Sequence, residues 1–284
     1  MNEITITILI DALRHDSITK RDSPFLHALS NDGVSGKVRT TFGFVKHPVW
    51  FAGLYPKISD RAFYYWYSPE TSPYKFTRFI PILSNKVPKL LRVGLDKIAR
   101  YISKYSYGTA SHIPLKILKY FDFAEKKPPW DPQYLPHITL FDILRENNLR
   151  WLFIGYPGSD QRTFAIWNKF QREINSNISF IWIHFAETDV AEHMYGPESK
   201  EYKKRLREID SIIEKIYNML LNIFDQVHML IFGDHGAVEV KKSVNIEERL
   251  KELNLKVGKD YVYFLDSTFA RLWFKNNEAR LKII

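Results

Sequence analysis

Three stretches of the sequence place acids and histidines where they could act together on one ion. Asp11 closes the apolar run ITITILID, Asp234 and His235 close VHMLIFGD within FGDHGA, and Glu187, Asp189 and His193 follow SFIWIHFA within ETDVAEHMYGP. Carboxylate oxygens and imidazole nitrogens bind divalent cations, and because the chain has no cysteine any metal must be held by such groups. Asp189 and His193 stand four residues apart, so one helical turn after the strand would put both on one face. A single acid behind a strand is an ordinary turn or helix-cap residue. Asp11, Asp189, His193, Asp234 and His235, each behind a strand signal, point to chemistry by their conjunction.

Donors spread this widely need rigid elements to bring them together. Four short apolar runs, 4–11, 150–157, 179–186 and 227–234, lack polar alternation, as strands covered on both faces do. Helical patterns separate them. Ser23 before Pro24 reads as the N-cap of a helix over 23–33, residues 135–148 carry apolar side chains at helical spacing, and 200–224 is a long amphipathic segment. This alternation predicts an α/β fold with a mostly parallel central sheet and helices on both faces. Ligand sites in such sheets form beyond the carboxyl ends of the strands, where the acids and histidines stand.

Residues 57–132 interrupt the alternation with Tyr, Pro, Lys and Arg, and are expected to form an inserted cap with a basic helix near 86–105. The Leu and Ile face of that helix has two readings, packing on the core or peripheral contact with a membrane. The organisation expected is a single domain over 1–284 holding the 57–132 insertion. In DYVYFLDSTFARLWF (260–274), Asp266 and Arg271 read as a salt-bridged pair inside a strand pair.

With 284 residues, 45% hydrophobic and 26% charged, the chain has the composition of a globular protein. A net charge of +9 favours anionic partners, and no nucleic-acid-binding motif is readable. The apolar runs are shorter than the roughly 18 residues of a membrane span, and no signal-peptide pattern opens the chain, so a cytoplasmic location is expected. Oligomeric state is not legible.

LIDALRHD, ETDVAEHMYGP and FGDHGA, in this order and spacing, resemble the metal motifs of the alkaline phosphatase superfamily, and within it those of the type I phosphodiesterase and nucleotide pyrophosphatase branch. SPFLHALSNDGV and GLYP stand where that branch has its first helix and the turn closing its nucleophile helix. The resemblance covers nearly all of the chain outside the cap. It implies an alkaline phosphatase-like fold and two divalent ions, zinc ahead of manganese. One ion would be held by Asp11, Asp234 and His235, the other by Asp189 and His193. The implied activity is hydrolysis of a small-molecule phosphoric ester, of the phosphodiesterase or nucleotide pyrophosphatase type. A sulfatase that matures its nucleophile from cysteine is excluded by composition.

The resemblance also implies a Thr or Ser nucleophile at the N-terminus of a helix, where free amides and the dipole favour an anion. Thr41, followed by Phe42 in VRTTFGFVKHPVWFAGLYP, is the candidate. Counting back from Gly53 by the family's spacing reaches Gly43 instead, which leaves Thr40, or no nucleophile, as alternatives. The family's further histidine ligand near the C-terminus has no counterpart after His235, and the apolar, uncapped NNEARLKII leads us to expect a truncated chain. Glu187 or a remaining histidine is the substitute ligand to look for. His184 and His228 lie within apolar strands and read as core residues, and His47 beside Lys46 reads as a phosphate contact. The alternative to an enzyme is a metal-binding pseudoenzyme or binding protein of the same fold without turnover.

Overall fold

The computed structural model describes residues 2–79, 89–103, 113–156, 161–266 and 268–284, except for the side chains of Lys89, Ser103 and Asp266. Its strands are β1 (Glu3–Ile10), β2 (Tyr65–Tyr67), β3 (Phe121–Phe123), β4 (Arg150–Gly155), β5 (Ile178–Phe185), β6 (Gln226–Phe232), β7 (Tyr261–Asp266) and β8 (Phe269–Phe274). They divide between two compact units, Met1–Thr41 with Ile138–Lys241, and Phe42–His137 with Lys242–Ile284. Among the described residues no helix is long and apolar enough to cross a membrane.

The first unit is an α/β structure built on a parallel sheet of order β4-β5-β1-β6. β1 and β5 hold the middle, and Ile4, Ile6, Ile8, Ile10, Ile181, Ile183 and Phe185 are buried there. Stiff β-branched side chains suit this position because they lose little rotamer freedom on a pleated surface. The helix Lys200–Leu221 packs Leu206, Ile209, Ile213, Ile216 and Leu220 into the same cluster. Their three- and four-residue spacing makes one apolar stripe, and Ser199 Oγ caps the helix by accepting from Tyr202 N at 3.1 Å.

Two local expectations are corrected. The run 227–234 is not covered on both faces: as β6 it is an edge of this sheet, and its burial alternates, leaving Leu230 exposed. Continuous apolarity cannot distinguish an edge strand from a central one. Ser23 does precede the helix Pro24–Asp32, but its side chain makes no cap bond to that helix. Asp210 of the long helix does so instead, its carboxylate accepting from Phe25 N at 3.1 Å and Leu26 N at 2.8 Å. The segment read as helical over 135–148 is helix at Leu140–Glu146, opened by a capping box between Thr139 and Asp142.

The second unit contains two antiparallel pairs, β2-β3 and β7-β8, around an aromatic core that includes Tyr65, Tyr74, Phe121, Phe123, Tyr261 and Phe264. The residues expected to form a cap, 57–132, fall within it. Its basic helix is Lys89–Ser103; residues 86–88 and 104–105 of the expected helix lie outside the described residues, as do Pro157 at the end of the run 150–157 and Ser267 between β7 and β8. The Arg271 guanidinium lies over the rings of Phe63 and Trp273 at 4.4 and 4.9 Å, while the side chain of Asp266, its expected partner, lies outside the description.

Candidate metal centre

The site grows from the carboxyl end of the sheet in the first unit. Asp11 follows β1 directly, and its N–H donates to Phe185 O at 2.9 Å, which continues the β1–β5 ladder by one residue and fixes the aspartate backbone. The chain then turns sharply through Ala12, whose φ of 59° is the left-handed conformation that costs an L-residue about 1–2 kcal/mol. Two contacts hold that turn: Ala12 N donates to Asp234 Oδ1 at 3.3 Å, and Ala12 O accepts from Tyr202 Oη at 3.1 Å. Gly233 makes the approach possible, since a Cβ there would lie 2.3 Å from Leu13 O. A glycine at the exit of β6 thus seats Asp234 and His235 beside Asp11.

β5 leads through Ala186 into the helix Glu187–Tyr195, which carries Asp189 in its first turn and His193 in its last. His193 Nε2 lies 3.3 Å from Asp189 Oδ1, so the four-residue spacing does put both on one face. His235 Nε2 is the common neighbour of three carboxylates, at 3.1 Å from Asp11 Oδ1, 3.7 Å from Asp189 Oδ1 and 3.7 Å from Asp234 Oδ2. The Asp189 and Asp234 oxygens are therefore no further apart than twice 3.7 Å. Among the described residues, Asp11, Asp189 and His235 form a group whose ligand atoms all lie within 4.8 Å of one another. Asp234 borders this group through His235 and His193 through Asp189; His193 is the most exposed of the five.

The charges explain what the cluster can hold. Burial pushes the Asp234 carboxyl up to about 6, with the charge of Asp11 acting in the same direction. Asp189 is raised for the same two reasons. Burial would also raise Asp11, but hydrogen bonds from His184 and His235 hold it below the usual carboxylate range. Burial would lower His235; its hydrogen bond to Asp11 and the charges of Asp234, Asp11 and Asp189 instead raise it to about 9. Three carboxylates crowded on one imidazole are a concentration of negative charge that a divalent cation relieves. Oxygen and nitrogen donors this close together fit the ligand chemistry of such an ion.

Thr41 lies in an irregular, half-buried segment, where its carbonyl accepts from Thr40 Oγ1 at 3.4 Å. The helix expected to begin at the nucleophile is His47–Ala52, with Lys46 at its N-cap position, five residues after Thr41. Gly43, the position reached by counting back from Gly53, has φ 96°, and a Cβ there would meet Ala62 O at 2.3 Å. That position has no room for a side chain. His47 is buried in the second unit, with Nδ1 3.0 Å from Glu125 Oε2.

Several residues have roles that their surroundings in the sequence do not reveal. His184 is buried, as its apolar strand predicts, yet its Nε2 donates to Asp11 Oδ2 at 3.2 Å, so it orients a carboxylate of the cluster. His228, read in the same way, is half-exposed and lies 3.7 Å from Glu3 Oε2. Glu192, between Asp189 and His193, accepts from Ala237 N at 3.0 Å and ties the loop after His235 to the helix of Asp189. Glu187 Oε2 accepts from Thr163 N at 2.7 Å, and so serves the start of the helix Thr163–Glu173 rather than the cluster. An acid inside a strand-end motif is the one signal that could have marked Glu192; nothing local marks His184.

A family model described as type I phosphodiesterase / nucleotide pyrophosphatase matches residues 5–282. The chain is similar to mouse bis(5'-adenosyl)-triphosphatase enpp4, with 32% identity over 97 residues, 33% of this chain and 20% of that protein. It is also similar to the human bis(5'-adenosyl)-triphosphatase ENPP4, with 26% identity over 168 residues, 51% of this chain and 36% of that protein. The chain therefore matches only about a fifth to a third of the length of these relatives. Among solved structures, murine ectonucleotide pyrophosphatase / phosphodiesterase 5 superposes with a TM-score of 0.63 at 15% identity, covering 99% of this chain and 69% of that one. An inactive form of that murine protein in complex with AMP gives a TM-score of 0.60 at 13% identity, with 99% and 68% covered.

Proposed function

The chain belongs to the type I phosphodiesterase / nucleotide pyrophosphatase family, and from that premise we propose that it hydrolyses phosphoric diesters of a small molecule, using divalent ions held by the cluster around His235. The observation that carries this reading is the convergence of Asp11, Asp189 and His235 from three separate strand ends, their ligand atoms within 4.8 Å of one another. Asp11, Asp234 and His235 would hold one ion, and Asp189 with His193 a second. Zinc suits this donor set first and manganese second. Bound there, such ions neutralise phosphoryl oxygens and lower the pKa of an attacking hydroxyl or water.

The chain's own residues would do the rest. His184 keeps Asp11 turned towards the cluster through its 3.2 Å hydrogen bond, and Ala12 N anchors Asp234 in the same way. Thr41 Oγ1 would attack phosphorus as the ester oxygen departs, and water would then release the phosphoryl group from the threonine. Relatives named for splitting bis(5'-adenosyl) triphosphate support a nucleotide-like diester or anhydride over a phosphomonoester as substrate. A second reading, the same fold binding metal without turnover, is favoured by the absence of room for a hydroxyl at position 43 and by the four residues between Thr41 and the N-cap position Lys46.

Hydrolysis of bis(p-nitrophenyl) phosphate and of p-nitrophenyl phosphate, after chelation and with zinc or manganese restored, separates these readings. The proposal expects metal-dependent cleavage of the diester ahead of the monoester. It also expects Thr41→Ala to lower kcat by about a thousandfold or more with metal content unchanged. Full activity in that variant transfers the role to Thr40 or to a water, and retained metal with no cleavage of either ester establishes the second reading.

A further inference from the structure

The helix Lys89–Ser103 of the second unit is amphipathic with its faces reversed. At 100° per residue, Leu90, Leu91, Val93, Ile98, Tyr101 and Ile102 fall on one half of the helix, and all six are exposed, Leu90 at 86% and Tyr101 at 88%. Leu95 and Ala99 on the other half are buried, and so is Asp96, whose Oδ1 accepts from Tyr74 Oη at 2.6 Å. Arg92 also faces that side, with Nη1 donating to Ile113 O at 2.8 Å. Asp96 and Arg92 are thus spent on the helix's own unit, while a half-cylinder of mostly aliphatic and aromatic side chains, with the exposed Lys97 among them, points away from it. Water does not favour such a surface, and one this continuous marks a contact with something apolar.

Charge identifies the occupant. Residues 75–104 contain eight lysines and arginines against one acid, Asp96, a net charge of +7 within a chain whose total is +9. A second copy of the chain would bring like charge against like, and a nucleic acid has no use for a stripe of Leu and Ile. An anionic bilayer surface satisfies both features: the acyl boundary takes the apolar arc, and the headgroups take the exposed Lys97, whose long stem lets its ammonium reach them from within that arc. We propose that the outward face of the helix Lys89–Ser103 docks the protein on an anionic lipid surface, lying in the plane of the interface.

Co-sedimentation of the full chain with phosphatidylcholine vesicles, with and without phosphatidylglycerol, tests this. The expected result is binding that is at least about tenfold tighter with phosphatidylglycerol and that weakens as salt is raised. Replacing Leu90 and Ile98 together by Glu should reduce that binding about tenfold or more, with the circular dichroism spectrum and hydrolysis of a soluble diester unchanged. If the double variant does not fold, Lys97→Glu decides: it should weaken binding to the anionic vesicles and leave the phosphatidylcholine baseline as it was. The proposal is overturned if the parent binds neither vesicle or both equally, or if the variants bind like the parent. It is also overturned if the protein forms a dimer without lipid that the Leu90 and Ile98 changes dissociate, which would assign the face to a second copy.

Discussion

Asp11 carries the greatest burden of any single side chain, because its two oxygens face two different histidines. Oδ1 lies 3.1 Å from His235 Nε2 and Oδ2 lies 3.2 Å from His184 Nε2, so its orientation is set from both sides. Asp11→Ala removes a donor from the cluster and the partner of both imidazoles. Titration of the protein with zinc should show affinity reduced by about a hundredfold or more, with the far-ultraviolet spectrum of the parent. His184→Gln is the finer probe, since His184 is a positioning residue whose Nε2 hydrogen-bonds Asp11. It should weaken zinc affinity by about ten- to a hundredfold and let kcat recover at saturating metal. Parental zinc affinity in both variants would remove Asp11 from the site.

At the scale of elements, the first unit depends on long-range caps as much as on its sheet. The helix Pro24–Asp32 has no bond from Ser23 to its first amides, and the buried Asp210 of the helix Lys200–Leu221 supplies two. Burial raises the Asp210 carboxyl above its ordinary range, and the two backbone donors pull it part of the way back. Asp210→Ala leaves two amides at a helix start without their acceptor, which should destabilise the protein by about 2–3 kcal/mol in urea unfolding. Ser23→Ala should cost less than half as much. Equal losses would show that the buried Ser23 hydroxyl, which accepts from Thr19 N at 3.1 Å, matters as much as the long-range cap. The same helix positions Tyr202 on Ala12 O, so the element that stabilises the core also supports the turn bearing Asp11.

Over the whole molecule, two cores of different chemistry give two responses to conditions. The first unit's core is mostly aliphatic, whereas the second unit's is richer in aromatic rings; the second unit also buries Glu125 beside His47, with the Tyr134 hydroxyl on the same carboxylate. Burial alone would raise Glu125; the charge and hydrogen bond of His47, then that of Tyr134, hold it below its usual value. A carboxyl lowered in the folded state contributes stability that is fully present above its unfolded pKa of about 4.3 and is lost as pH falls through the folded value. Thermal midpoints measured from neutral pH downwards should therefore fall below about pH 4–5, and Glu125→Gln should flatten that acid limb while lowering the neutral midpoint. An acid limb of the same slope in the variant would show that other carboxylates govern it.

What the sequence determined by itself is whatever depends on near neighbours. Apolar runs specify that β1, β4, β5 and β6 are strands, because that pattern is written in consecutive residues, though not that β6 lies at an edge with alternating burial. The donors Asp11, Asp189, Asp234 and His235 stand within a few residues of those strand ends, so their shared edge was legible before any coordinates. The turn that places His193 over Asp189 is equally local, being one helical repeat. What only the tertiary structure decided involves partners far apart in the chain: His184 meets Asp11 across 173 residues, Asp210 meets Leu26 across 184, and Glu192 meets Ala237 across 45. Each is a polar group whose nearest sequence neighbours are equally compatible with a bland role, so only the packing that brings the partner shows its use. The helix Lys89–Ser103 makes the same point by direction: its amphipathic pattern could be read from sequence, but which face turns inward was decided by Tyr74 and the Ile113 carbonyl, whose hydrogen bonds draw Asp96 and Arg92 in and leave the apolar face outside.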